Sequence, residues 1–65
     1  MKTKPFIKIR LEDNTIRSIY LDDIISIDEV NGGTITLVAL KSEDMPLRTK
    51  MKKDEIENLK NTPML

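Results

Sequence analysis

Seven basic residues fall into two groups whose spacing could bind an anion such as a nucleic-acid backbone. They are Lys8, Arg10, Arg17, Arg48, Lys50, Lys52 and Lys53. Residues two apart in a strand point to the same face. Lys8 and Arg10 are therefore expected to share the outer face of the first hairpin, with Arg17 beside them on the return strand. Arg48, Lys50 and Lys52 are expected to share one face of the fifth strand, and Lys53 follows. If the first and last strands adjoin, the groups would merge into a basic stripe, whose affinity for nucleic acid would fall steeply with salt. The alternative is that these cations are ordinary solvated side chains balanced by nearby acids.

Catalysis is not expected from this composition. The chain has no histidine for general acid–base work near neutral pH and no cysteine for a nucleophile or a soft metal ligand. The carboxylates come mainly as adjacent pairs, which point to opposite faces of a strand and so rarely act together. The only two glycines, Gly32 and Gly33, are better explained by a turn than by a phosphate-binding loop. We therefore expect no enzyme, no cofactor and no metal site.

Length and charge limit the classes of protein further. Sixty-five residues form one small domain, whose core is marginal and which partner subunits could enlarge. Eleven basic and eleven acidic residues cancel, so there is no global attraction to nucleic acid or anionic lipid. The basic N-terminus is not followed by a long apolar run, which predicts neither a signal peptide nor a membrane span. A cytoplasmic setting of bacterial or phage type is the expectation.

Five short strands are predicted from period-two alternation and from the abundance of β-branched residues. Their expected ranges are residues 6–11, 15–21, 24–30, 34–40 and 45–51. The first strand places Ile7, Ile9 and Leu11 on one face. Pro46 cannot donate to a ladder, so the fifth strand is expected to lie at an edge or to begin there.

Two tight turns join these strands into hairpins. Asn31-Gly32 is a strong hairpin signal because both residues tolerate positive φ, and Gly33 allows a loop of two or three residues. The other turn is centred on Asp13-Asn14. If it has two residues, Arg10 faces Arg17 on the outer face, whereas Leu11 faces Ile16 and Ile7 faces Tyr20 on the buried face. Ile19 and Leu21 then break the alternation, which either a bulge near Ser18 or apolar contact on both faces would explain.

The chain ends in a predicted short helix over residues 54–61. Asp54 and Glu57 have the spacing of a capping box. Ile56 and Leu59 lie on one face, and a helix of about two turns needs to pack that face onto the sheet to be stable. Pro63 would stop the helix.

These elements predict a mainly β fold of about five antiparallel strands, forming a small SH3-like partly open barrel or sheet with a C-terminal helix. In the fourth strand Ile35, Leu37 and Ala39 point one way, and Val38 and Leu40 point the other. Strands that are apolar on both faces belong in a barrel or a sandwich, or pack against a second subunit. If a second subunit covers the strands, the alternative is a β-sheet that is closed by a dimer partner.

The order of elements resembles two bacterial families. The segment IYLDDIISIDEV is similar to the centre of the LytTR DNA-binding domain of response regulators, and LRTKMKKDEIENLK to its strand and short helix. Leu21, Ile24 and Ile27 ahead of TITL resemble the small flagellar FlbD family. The first resemblance implies DNA binding. A LytTR domain is longer, however, and reads DNA beyond this helix, so no DNA-contacting residue is carried over.

Protein–protein interaction is the predicted function, most simply self-association into a homo-oligomer. The apolar strands, the edge strand with Pro46 and the apolar tail Met64-Leu65 all leave surface for a partner to cover. The alternative is a small LytTR-like transcriptional regulator that binds nucleic acid through the basic stripe.

Overall fold

The computed structural model describes residues 4–64 and confirms a mainly β fold with a C-terminal helix. The strands are β1 (Phe6–Arg10), β2 (Ile16–Tyr20), β3 (Ile24–Val30), β4 (Ile35–Leu40) and β5 (Leu47–Thr49), and the helix is α1 (Lys53–Asn61). Short 3-10 turns span Leu21–Asp23 and Asn31–Gly33. Leu65, one of the two residues of the predicted apolar tail, lies outside the described residues.

The strands form two antiparallel sheets and, among residues 4–64, no closed barrel. One sheet contains β1 and β2, and the other has the order β3-β4-β5. The sheets meet where β1 runs past the end of β5. There the Glu12 N–H donates to the Arg48 carbonyl over 2.9 Å, and the Thr49 hydroxyl donates to the Arg10 carbonyl. The first and last strands are therefore adjacent at one end, as the basic-stripe hypothesis requires.

The core lies between the two sheets and the helix. Its buried side chains are Ile7, Ile9, Ile19, Ile27, Val38, Leu40 and Ile56. The predicted inward face of β1 is confirmed, because Ile7 and Ile9 are fully buried and Leu11 packs at the margin. The predicted packing of Ile56 and Leu59 is confirmed too. Ile56 is completely buried, so α1 covers the open side of the sheets.

The register of the first hairpin differs by one residue from the two-residue-turn prediction. Arg10 faces Ile16 rather than Arg17, and Ile7 faces Ile19 rather than Tyr20. The reason is a loop of three residues, closed by a bond from the Leu11 N–H to the Thr15 carbonyl. A register shift of one residue turns every side chain of a strand to the opposite face of the sheet. Ile16 and Tyr20 are consequently exposed instead of buried.

The first turn is held by its own polar side chains. Asn14 adopts a φ of 72°, which asparagine tolerates better than most residues. The Asp13 carboxylate accepts hydrogen bonds from the Thr15 hydroxyl (2.6 Å) and the Thr15 N–H (3.1 Å). These bonds lower the pKa of the Asp13 carboxyl below its ordinary value, and the bond from the Thr15 hydroxyl has the larger effect.

The second turn confirms positive φ at its glycines but is longer than predicted. Asn31, Gly32 and Gly33 have φ values of 52°, 67° and 88°. The last ladder pair is Val30 with Ile35, so the loop has four residues and β4 begins one residue later than expected.

The broken alternation near Leu21 has a different cause from the predicted bulge at Ser18. β2 pairs with β1 without a register shift, and the chain leaves the strand at Leu21 in a 3-10 turn. The bulge lies in β3, between Ile24 and Ser26. Asp23, in the 3-10 turn after β2, accepts hydrogen bonds from the Ser42 N–H (3.0 Å) and the Ser42 hydroxyl. It thereby ties down the loop that precedes β5.

The helix is capped two residues earlier than the sequence suggested. Lys52 is the N-cap residue, and its N–H donates to the Glu55 side chain over 3.2 Å. The box assigned to Asp54 and Glu57 is therefore wrong, and Asp54 contributes only a negative charge in the first turn. β5 is shorter than predicted and lies at the edge of its sheet, directly after Pro46.

Candidate functional site

The outer face of the first hairpin is the most distinctive surface of the molecule, and we call it the hairpin face. Antiparallel partners point to the same side of a sheet, so the register defines its members. They are Phe6, Lys8, Arg10, Ile16, Ser18 and Tyr20. The opposite side of the same hairpin carries Ile7, Ile9 and Ile19 into the core. The hairpin face is thus held by a strand pair whose other side is anchored.

Met64 extends the hairpin face by one position. Its N–H and carbonyl each form a 2.8 Å bond with the backbone of Phe6, on the side of β1 away from β2. Tyr20, Phe6 and Met64 therefore lie next to one another in a row across the sheet. The Lys4 ammonium lies 5.7 Å from the centre of the Tyr20 ring, within the range of a cation–π contact.

Large apolar side chains on this face are left uncovered by the fold. Ile16 is 56% exposed, Tyr20 53% and Met64 51%. Single exposed apolar residues are common on proteins, but a group of them on one face is typical of a binding surface. The other two large exposed apolar side chains among residues 4–64 are Ile25 and Met45, which lie on β3 and in the loop before β5.

Three of the predicted cations come together beside the hairpin face. Lys8 and Arg10 are on it, and Arg10 and Lys50 line one hollow where β1 passes the residues after β5. Glu55 lines the same hollow, so a carboxylate lies among the cations. The expected merging of the two basic groups is therefore limited to these positions.

Two other predicted cations are paired with carboxylates. The Arg17 guanidinium bonds Glu43, and Arg48 Nε lies 3.0 Å from Glu12 Oε2. The prediction that Arg17 shares a face with Lys8 and Arg10 is wrong, because Arg17 faces Ile9 on the core side of the hairpin. Both pairs are partly exposed, so each contributes little to stability. They do reduce the positive potential of the hypothetical stripe.

The remaining two cations lie at the start of the helix. The Lys52 ammonium donates to the Gly33 carbonyl over 3.1 Å and so links the helix to the second turn. Lys53 is half-buried in the first turn of α1. Lys52 therefore makes a local contact with the second turn, and Lys53 is the first residue of the helix. Neither is a member of the hairpin face.

Neither a metal site nor a spanning helix is found in the part of the chain that the structure describes. No three carboxylates there are grouped closely enough to hold an ion. Across residues 4–64 no helix has the length and apolar character needed to cross a bilayer.

Sequence reasoning missed the hairpin face because it assumed a two-residue turn. That turn would have buried Ile16 and Tyr20. The signal that could have corrected it is Asn14, which also fits the left-handed last position of a three-residue hairpin loop. With that loop the same residues point outward.

Comparison of the chain with family models, curated proteins and solved structures gives no match.

Proposed function

We propose that this chain is a non-enzymatic protein-interaction module that associates with itself through the hairpin face. The observation that carries the proposal is the exposure of Ile16, Tyr20 and Met64 on one face of an anchored strand pair. None of the three is needed in the core. Burying them in an interface would release apolar surface from water, at about 25 cal/mol per Å².

The small size of the domain supports the same proposal. A chain of this length buries a limited fraction of its surface by itself, and association is one way to add to its core. The net charge of zero removes general repulsion between copies. The cytoplasmic setting stays a prediction, which imaging of a tagged chain would test.

The experiment is the mass of the protein in solution over a wide range of concentrations. We expect the wild-type mass to rise with concentration, and Ile16→Ser with Tyr20→Ser to abolish the rise. The matched control is Ile25→Ser with Met45→Ser, which removes two even more exposed apolar side chains elsewhere. A wild-type chain that stays monomeric at millimolar concentration would overturn self-association. Equal effects of the two double variants would remove the hairpin face as its site.

Binding of nucleic acid is the second candidate, a LytTR-like regulator, and the meeting of Lys8, Arg10 and Lys50 favours it. Each phosphate contact contributes about one unit to the slope of affinity against salt. Arg10→Ala with Lys50→Ala should lower that slope by about two units on duplex DNA. Arg17→Ala with Arg48→Ala is the control, since both cations already pair with carboxylates. Absence of wild-type binding at low salt would eliminate this candidate.

A further inference from the structure

One edge of the first hairpin has backbone groups without partners among residues 4–64. β2 pairs with β1 alone. Phe6 bonds Met64 on the side away from β2, so Phe6 and its partner Tyr20 form a pair whose N–H and C=O groups point away from each other. The same holds at every second position. The N–H and C=O of Ile16 and Ser18 and the N–H of Tyr20 therefore point outward along the free edge. The Tyr20 carbonyl already accepts within the 3-10 turn that begins at Leu21.

A second copy of β2 can pair all three of these residues in only one antiparallel register. Antiparallel hydrogen-bonded pairs join residues whose groups both point across the gap. Pairing Ser18 with Ser18 of the second copy also pairs Ile16 with Tyr20 at both ends. The Ser18 pair exchanges two bonds, and in each end pair the Tyr20 N–H donates to the Ile16 carbonyl of the other copy. A shift by two residues leaves one outward-pointing residue of each copy unpaired, so the complete match has its two-fold axis at Ser18.

The same register matches the side chains. On the hairpin face it places each exposed Ile16 beside an exposed Tyr20 of the other copy, and aromatic with β-branched pairs stabilise adjacent strands. On the other face Arg17 lies opposite Ile19, so no two like charges face each other. Arg17 is in addition neutralised by Glu43.

The other two edge strands are protected, which singles out β2. β5 has only three residues, follows Pro46, and its Arg48 carbonyl already accepts from the Glu12 N–H. β3 is the other outer strand of that sheet, but it contains a bulge between Ile24 and Ser26 and carries Asp28 and Glu29. Bulges and charges are the usual means by which edge strands avoid pairing with other chains. β2 contains no bulge, no proline and no acidic residue.

We propose that two copies of this chain pair antiparallel through β2, with Ser18 at the two-fold axis, to form one continuous four-stranded sheet. The inference rests on the proposed self-association and adds its edge and its register. Ile16 and Tyr20 meet across the new seam, whereas Met64, on the far side of β1, does not reach it. Across the hairpin face of such a dimer, two mainly apolar rows, each with Arg10 at one end, flank a central polar row of Lys8 and Ser18 from each copy.

A single introduced cysteine tests this register, because the wild-type chain has none. In Ser18→Cys the two thiols would sit on a hydrogen-bonded pair with Cα atoms about 5.5 Å apart, within reach of a disulfide. Lys8→Cys is the control on the same face, where three strand spacings separate the thiols by about 14 Å. Asp28→Cys is the control on the other edge. We expect rapid oxidative crosslinking of Ser18→Cys alone, and crosslinking no faster than in Asp28→Cys would overturn the proposal.

A second variant tests the edge without a thiol. The Ser18 N–H points away from β1, so Ser18→Pro removes no ladder bond within the chain and should leave it folded. It removes the two bonds at the centre of the dimer, and we expect the dissociation constant to rise at least about tenfold. Ser18→Ala keeps the N–H and should dimerise like the wild type. Unchanged dimerisation of a folded Ser18→Pro chain would overturn the β2 edge.

The outcomes separate the two proposals. A concentration-dependent wild-type mass without selective crosslinking at position 18 keeps self-association and removes the β2 register. A wild-type chain that remains monomeric removes both.

Discussion

At the scale of single residues, the two buried threonines differ in what their hydroxyls do. Thr36 and Thr49 face each other across β4 and β5, and both are fully buried. The Thr49 hydroxyl donates to the Arg10 carbonyl and accepts from the Met51 N–H over 3.0 Å. Among the described residues the Thr36 hydroxyl has no hydrogen-bond partner.

This difference predicts opposite effects of the same substitution. Thr49→Val should destabilise the fold by about 1–2 kcal/mol, because it leaves two part-buried backbone groups without their partner. Thr36→Val should be neutral or stabilising by up to about 1 kcal/mol, because an unpaired hydroxyl is replaced by a methyl group of the same shape. Urea denaturation midpoints measure both. Equal losses would mean that a bound water satisfies the Thr36 hydroxyl.

The carboxylate of Asp13 predicts an acid-sensitive turn. Its hydrogen bonds from Thr15 lower its pKa in the folded state below the ordinary value of 3.8. The stabilisation is therefore fully present above the unfolded pKa and is lost as the pH falls through the folded one. Asp13→Ala and Thr15→Val should both make stability less dependent on pH below about 4. Thermal melts across that range test this, and an unchanged acid limb in both variants would contradict it.

At the scale of elements, the second turn depends on backbone conformation alone at Gly32. Its φ is 67°, and a Cβ built there would meet no atom within 4 Å. Gly32→Val should therefore cost about 1–2 kcal/mol, since branched residues resist the left-handed region. Gly32→Asn should cost much less because asparagine tolerates it. Chemical denaturation of the two variants is the measurement, and equal costs would point to a steric cause instead.

The helix start predicts a ranking of its two acidic residues. Glu55 accepts from the Lys52 N–H, whereas Asp54 acts through its charge near the helix N-terminus. Glu55→Ala should cost about 1 kcal/mol, and Asp54→Ala about half of that. Glu55→Gln, which keeps an acceptor, should fall between the wild type and Glu55→Ala. A larger loss at Asp54 in denaturation curves would restore the capping box first read from the sequence.

At the scale of the whole molecule, the proposed self-association predicts a melting temperature that rises with protein concentration. Any species that binds the folded but not the unfolded chain stabilises it by mass action, and a second copy is such a species. The rise should disappear in Ile16→Ser with Tyr20→Ser and persist in Ile25→Ser with Met45→Ser. A melting temperature independent of concentration in the wild type would contradict the prediction.

What could be predicted from the sequence is local in origin. Alternation in β1, positive φ at Gly32 and the buried Ile56 all follow from a few neighbouring residues, and the structure confirms them. The observed boundaries of an element differ from the predicted ones where the sequence offers two possible signals, as at the start of the helix. There, Lys52 and Glu55 took the place of Asp54 and Glu57.

Only the tertiary structure decided which side chains form the surface of the hairpin. One additional loop residue moved Ile16 and Tyr20 outward and Arg17 inward, and both loop lengths suit the same Asp-Asn sequence. The ion pairs of Arg17 and Arg48 join residues 26 and 36 positions apart. Such contacts arise when the sheets close against each other, and a pattern of neighbours along the chain contains no information about them. The strands could therefore be predicted from the sequence, whereas the candidate interface depends on the strand register and on contacts between residues far apart in the chain.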